Sequence, residues 1–314
     1  MIVTVTPNPS LDRTYELPGL VVGEVNRAAA DRLDPGGKGV NVARALTAAG
    51  LRAAAVLPLG GDPGRLLGDL LRRQGIDVTA VQVGGDTRIN VTIVERDGPL
   101  TKVNAPGPRL TEDESAALLA AVRRQAGGSG VDWLACCGSL PRGLAPGWYA
   151  DLVAEAHAGG ARIAVDAAGP ALAASLRAGP DVVKPNRAEL AEAAGRPVTT
   201  VGGAYDAAQE LRRLGARQVL ASLGPDGMLL VAEEGSWYGT APVDRVRSDV
   251  GAGDASLAGF LGAGGAGPKA LASALAHGAA AVRLPGSVMP IPADLEPDTV
   301  TVTADIPWEL PLGR

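Results

Sequence analysis

From about residue 113 onward, segments with helical periodicity alternate with short apolar runs, and this alternation limits the possible folds more than any other feature of the chain. Residues 116–125, 148–158 and 204–214 carry apolar side chains at helical spacing, whereas 133–137, 162–165, 181–184 and 218–222 are strand-length runs. Strands separated by helices cannot pair through tight turns, so βαβ units on a mostly parallel sheet are expected. The N-terminal third differs: 15–20, 25–33, 88–95 and 101–104 are strand-like with no helix between several neighbours, and Arg96-Asp97-Gly98-Pro99 is a hairpin-turn sequence. The expected fold is α/β: a doubly wound, mostly parallel sheet flanked by helices, with a small antiparallel sheet inserted from about 13–34 and 88–104. Such an appendage commonly acts as a lid. The proline-rich tail, 285–314, is strand-like only at 300–303 and is expected to lie along the surface and contribute little chemistry.

A chain of 314 residues, 46% of them hydrophobic, is long and apolar enough for a sizeable core. Its net charge of -5 argues against a nucleic-acid surface or a polybasic membrane anchor, while leaving room for local basic pockets. The N-terminus lacks a basic segment followed by a long apolar one, and no stretch reaches the roughly 18 apolar residues of a membrane span, so a cytoplasmic location is expected. The two cysteines, Cys136 and Cys137, are adjacent on a strand-like run and should point to opposite faces, where a disulfide between them would be strained. With His157 and His277 as the only histidines, no zinc site can be assembled. The acceptor pattern Asn90-Val91-Thr92 has no secretory route to glycosylation.

Ser248-Asp249-Val250-Gly251-Ala252-Gly253-Asp254 leads into the apolar helical pattern of Leu257, Ala258, Phe260 and Leu261. Backbone N–H groups at a helix start lack intrahelical partners, so a Gly-Ala-Gly turn there lets an anion approach closely, with Asp254 beside it as a base or simply as a cap. Gly36-Gly37-Lys38-Gly39-Val40-Asn41 is a second glycine-rich turn before a helix, with Lys38 and Asn41 as donors; it lacks the first glycine of a Walker A loop. The pattern Gly262, Gly264, Gly267 follows a helix instead of a strand and reads as a helix end.

Asn8-Pro9-Ser10-Leu11-Asp12 follows the first strand, where Asp12 could accept from substrate hydroxyls or be an ordinary turn carboxylate. Arg88 opens a strand, as a phosphate fork or an exposed edge residue. Gly138-Ser139 ends another strand. Lys184-Pro185-Asn186 with Glu189 offers a cation, an amide and a carboxylate; Asn186 and Glu189 are spaced as a capping box and also for organising Mg²⁺. Ser222-Leu223-Gly224-Pro225-Asp226-Gly227 is a tight connection that a nucleotide or a plain hairpin would use.

Taken in order, Asn8-Pro9-Ser10-Leu11-Asp12, Gly36-Gly37-Lys38-Gly39, Thr87-Arg88-Ile89-Asn90, Lys184-Pro185-Asn186 with Glu189, Ser222-Leu223-Gly224 and Gly251-Ala252-Gly253-Asp254 resemble the PfkB (ribokinase-like) carbohydrate kinases over about residues 1–285. The first motif, Thr87-Arg88-Ile89-Asn90 and Asn104-Ala105-Pro106-Gly107-Pro108 resemble the branch of 1-phosphofructokinases and tagatose-6-phosphate kinases. The resemblance implies a single ribokinase-like kinase domain over 1–314 that phosphorylates a ketohexose phosphate with ATP and Mg²⁺. It implies Asp254 as the base and the N–H groups of Gly251, Ala252 and Gly253 as the anion site. Asp12, Gly37, Lys38, Asn41 and Ser139 would hold the sugar, and Arg88 with Lys38 its phosphate. Lys184, Ser222, Gly224 and Gly227 would line the ATP site, and Asn186 with Glu189 would organise metal and phosphates indirectly. Lids of related proteins pair, so a homodimer is expected.

Fructose 1-phosphate is the leading substrate; tagatose 6-phosphate or fructose 6-phosphate is the alternative, and a non-catalytic sugar-phosphate-binding regulator is the reading from another class. Two positions depart from the branch: Ala105 replaces an acidic residue, and Asp249 replaces a small one. Two residues before the anion turn, Asp249 must face away or approach a cation.

Overall fold

The computed structural model of the chain describes residues 1–96, 98, 100–128 and 130–313. In chain order, β1 (Ile2–Val5), β2 (Ser10–Leu17) and β3 (Ala30–Gly36) precede α1 (Lys38–Ala48). Next come β4 (Ala53–Leu59), α2 (Gly61–Arg73), β5 (Asp77–Gln82), β6 (Arg88–Glu95) and β7 (Leu100–Val103). The alternating half follows as α3 (Glu112–Ala126), β8 (Trp133–Cys137), α4 (Trp148–Ala158), β9 (Arg162–Asp166), α5 (Gly169–Leu176) and β10 (Val182–Val183). It continues through α6 (Arg187–Ala194), α7 (Val201–Arg213), β11 (Gln218–Ser222), β12 (Met228–Val231) and β13 (Ser236–Thr240). The last elements are α8 (Ala252–Gly262), α9 (Gly267–Arg283) and β14 (Thr301–Thr303).

Ten strands form one sheet in the order β14-β13-β12-β11-β10-β9-β8-β1-β4-β5. From β11 to β5 every neighbouring pair is parallel, and β12, β13 and β14 add an antiparallel edge. Alternation of side chains distributes each strand over two cores. Val3, Val5, Leu134, Cys136, Ile163 and Val165 face a core packed with residues of α3, α4, α5, α6 and α7. Ile2, Trp133, Ala135, Cys137 and Ala164 face another, packed with residues of α1, α2, α8 and α9. The neighbouring cysteines thus belong to opposite faces as expected; both are free, and burial pushes both thiols well above their ordinary pKa.

The small sheet has the order β3-β2-β6-β7. Its outer pairs are antiparallel, but β2 and β6 run parallel, so the sheet is mixed where a purely antiparallel one was expected. Its first strand starts at Ser10, which places Asp12 within a strand instead of a turn, and 25–29 lies outside β3. The expected turn at 96–99 includes Asp97 and Pro99, which lie outside the described residues. The tail forms the strand expected within 300–303, exposed at the sheet edge. It adds β14 to the sheet edge, and Pro285, Gly286 and Ser287 help line a cavity of about 310 Å³ beneath the small sheet.

Phe260 on α8 is fully buried in the second core, on the helix that carries Asp254. Phe260→Ala should destabilise the fold by about 3–5 kcal/mol, read from denaturant melts.

Candidate active site

The parallel strands end on a common edge, and β1 and β8 lie side by side although β1 connects onward to the other half of the sheet. This is a switch in winding direction, where loops diverge and leave a crevice. Asn8, after β1, donates to Ser139 Oγ, after β8, at 3.3 Å and to the Pro106 carbonyl at 3.2 Å, tying three loops together.

Two helices open on this crevice through glycines without side-chain caps: α1 after Gly37 and α8 after Gly251. Gly251 has φ 81°, the left-handed conformation that glycine adopts without strain, and this turns the chain into α8. The Ala252 N–H makes a long 3.4 Å bond to Asp249 O. Asp254 sits in the first turn of α8 and is 7% exposed. Burial first, and the like charge of Asp166 second, push its pKa up to about 6, opposed by a hydrogen bond from Asn41 and the charges of Lys184 and Lys38. The rise costs the ionised form roughly 3 kcal/mol. Asn41 Nδ2 donates to Asp254 Oδ2 at 2.8 Å, which ties the carboxylate to α1.

Lys38 Nζ lies 2.7 Å from Asp166 Oδ1 and 3.4 Å from Glu189 Oε1. Burial pulls its pKa down, but Asp166 and Glu189 outweigh this and hold the ammonium above its ordinary value. Lys184 Nζ makes an ion pair with Asp166 Oδ2 at 3.0 Å, and it lies 3.3 Å from where a Cβ on Gly253 would stand. Lys184 therefore flanks the glycine turn. Asn186 and Glu189 form a complete capping box at the start of α6: Glu189 N donates to Asn186 Oδ1 and Asn186 N to Glu189 Oε2, each at 2.9 Å. A bridge between Asn186 and Ser222 brings the Ser222–Gly227 hairpin alongside, where Gly224 faces open space and Gly227 packs against Gly239.

On the small sheet, Asp12 Oδ1 accepts from Ser10 Oγ at 2.7 Å and from Asn90 Nδ2 at 2.9 Å. The Asp12 carboxylate occupies the space that a Cβ on Gly36 would need, which explains a glycine there. Arg88 donates to the carbonyls of Asn8 and Ala105 at 2.9 and 3.0 Å, while its buried Nε has no partner. Lys38 and Arg88 thus have different partners within the chain. Asp249 is 84% exposed at its side chain and points to Lys102 on β7, 3.8 Å away, which meets both conditions set by its position. Asp166, fully buried at the end of β9, was not singled out from the sequence. Its only signal there is an acidic residue closing an apolar run. Among the described residues, no group of three or more His, Cys, Asp or Glu side chains could hold a metal.

An uncapped glycine turn beside a buried, elevated carboxylate, on the carboxyl edge of a doubly wound sheet with a β lid, defines a phosphotransferase of ribokinase-like fold. The chain belongs to the pfkB family of carbohydrate kinases, whose sequence profile matches residues 5–294. It is 40% identical over 261 residues to a 1-phosphofructokinase of Rhodobacter capsulatus, covering 83% of this chain and 82% of that one. The fold matches phosphofructokinase-2 of Escherichia coli in complex with potassium with a TM-score of 0.88 at 34% identity, over 93% of this chain and 96% of that chain. Arabidopsis thaliana ribokinase, at 23% identity and a TM-score of 0.74, covering 93% of this chain and 96% of that one, shares the fold.

Asn41→Ala removes the hydrogen bond that favours ionised Asp254. The pKa of Asp254 should rise further, moving the acid limb of the pH–rate profile to higher pH, as measured by kcat/KM between pH 5 and 9.

Proposed function

We propose that the chain phosphorylates fructose 1-phosphate to fructose 1,6-bisphosphate with ATP, Asp254 acting as base. The observation that carries this reading is the buried Asp254 carboxylate, elevated to about 6, beside the Gly251–Gly253 turn. At neutral pH it is ionised and still basic enough to take the hydroxyl proton of the sugar. The hydroxyl oxygen bonds to the terminal phosphorus as the bond to ADP breaks. Charge building on the phosphoryl oxygens meets the N–H groups of the turn and Lys184 beside them.

Among the described residues Asp12 accepts hydrogen bonds only at Oδ1, which leaves Oδ2 for sugar hydroxyls, with Asn41, Gly37, Lys38 and Ser139 as further sugar-binding groups. The buried, unpartnered Nε of half-buried Arg88 fits an added phosphate oxygen. Ser222, Gly224 and Gly227 flank Lys184 and Asn186 on the nucleotide side. Mg²⁺, when bound, would neutralise phosphate charge, and Asn186 with Glu189 would organise it through water or phosphate oxygens.

The likeness to Escherichia coli phosphofructokinase-2 in complex with fructose-6-phosphate favours a second reading, a 6-phosphate as substrate, because a furanose with one phosphate can present either end. A coupled ADP-release assay with fructose 1-phosphate, fructose 6-phosphate and tagatose 6-phosphate decides between them. At least tenfold higher kcat/KM for fructose 1-phosphate, about 1.4 kcal/mol, is expected; preference for a 6-phosphate reassigns the substrate.

The lid also supports a homodimer. Asp12, Thr14, Asn90 and Thr92 line its inner cavity, so alternation turns Tyr15, Val91, Ile93 and Val103 outward, with Tyr15 opposite Ile93 and Val91 opposite Val103. Ile93→Asp should convert a dimer to a monomer in light scattering; a monomeric native chain contradicts this.

A further inference from the structure

We propose that Asp166 is a positioning residue for phosphoryl transfer: its carboxylate, closed off from solvent, fixes the ammonium groups of Lys38 and Lys184 beside Asp254 and the glycine turn. The inference rests on the kinase reading above. Asp166 has no exposed surface and cannot touch a substrate, so any effect on the reaction passes through its partners. Those partners come from different elements, Lys38 from the start of α1 and Lys184 from the loop after β10, and each uses a different oxygen. Lys184 is itself almost wholly buried, with 5% of its side chain exposed, and reaches Gly253. An ammonium buried as deeply as that of Lys184 requires an anion beside it, and the same carboxylate holds the more exposed Lys38 through its other oxygen.

The groups acting on Asp254 are Asn41 and Lys38 from α1, Asp166 from β9 and Lys184 from the loop after β10, with Glu189 of α6 behind Lys38. Asp166 is thus the like charge that keeps Asp254 basic. Lys184 and Lys38 oppose this rise, but by less than burial and Asp166 together produce it. Despite burial, the lysines hold the carboxyl of Asp166 below the usual aspartate range, so it stays charged while Asp254 titrates.

Asp166→Asn removes a negative charge near Asp254 and releases two ammonium groups whose nearest remaining anions include Asp254 itself. Both changes favour ionised Asp254. The acid limb of kcat/KM should move to lower pH and kcat should fall on the order of tenfold or more. An unmoved limb, or an unchanged kcat, overturns the proposal, because a merely structural role would not shift a pH profile.

Should the asparagine variant fail to fold, ¹³C-carboxyl NMR of the native chain, with Asp254 assigned by its loss in Asp254→Asn, gives an independent test. The Asp166 signal should remain that of a carboxylate through the titration of Asp254 near pH 6; protonation of both together overturns the proposal. Failure of the kinase reading shows separately, as no ADP release by the native chain with any of the three sugar phosphates.

Discussion

Parallel strands cannot be joined by tight turns, and the rest of the molecule follows from that constraint. Each crossover returns a helix to the sheet and leaves its incoming loop on the same carboxyl edge. Where winding reverses between β1 and β8, the loops part and a crevice opens. Asn8, Ser139, Asp166, Lys184 and the starts of α1 and α8 therefore meet although they lie far apart in the chain. The lid enters as an interruption of this winding, with β2 and β3 inserted before α1 and β6 and β7 before α3.

Within the crevice, burial changes the meaning of charge. Exposed, Asp254 would be a weak base near its ordinary pKa of 3.8; buried beside Asp166 it rises to about 6. The same burial would be prohibitive for Lys184 without Asp166 beside it. Uncapped turns at Gly37 and Gly251 complete the arrangement by leaving helix ends free of side-chain partners. The site thus combines a buried carboxylate, two ammonium groups and helix starts without side-chain caps, a combination that suits the proposed in-line transfer between two anionic substrates.

Much of this is legible in the sequence, for identifiable reasons. Period-two alternation placed Cys136 and Cys137 on opposite faces, and helical spacing located α3, α4 and α7, because local periodicity is set by local geometry. The glycine turns and Asp254 stand in contiguous motifs. The parallel pairing of β2 with β6 is not legible, since it joins segments more than seventy residues apart through no shared local signal. Asp166 escaped notice for the same reason: a lone carboxylate at a strand end gains its role only from Lys38, 128 residues away, and from Lys184. Asn186 and Glu189 read equally as cap and as metal organisers, and the folded chain realises the cap.

The central claim is that Asp254 is a base and not a cap or a binding group. Its direct test is Asp254→Asn, which keeps the shape and the contact with Asn41 but removes the basicity. Calorimetric affinity for fructose 1-phosphate should stay within a few-fold of the native value while kcat for ADP release falls by roughly three orders of magnitude or more. Turnover at the native rate in a variant that still binds the sugar phosphate would contradict the account.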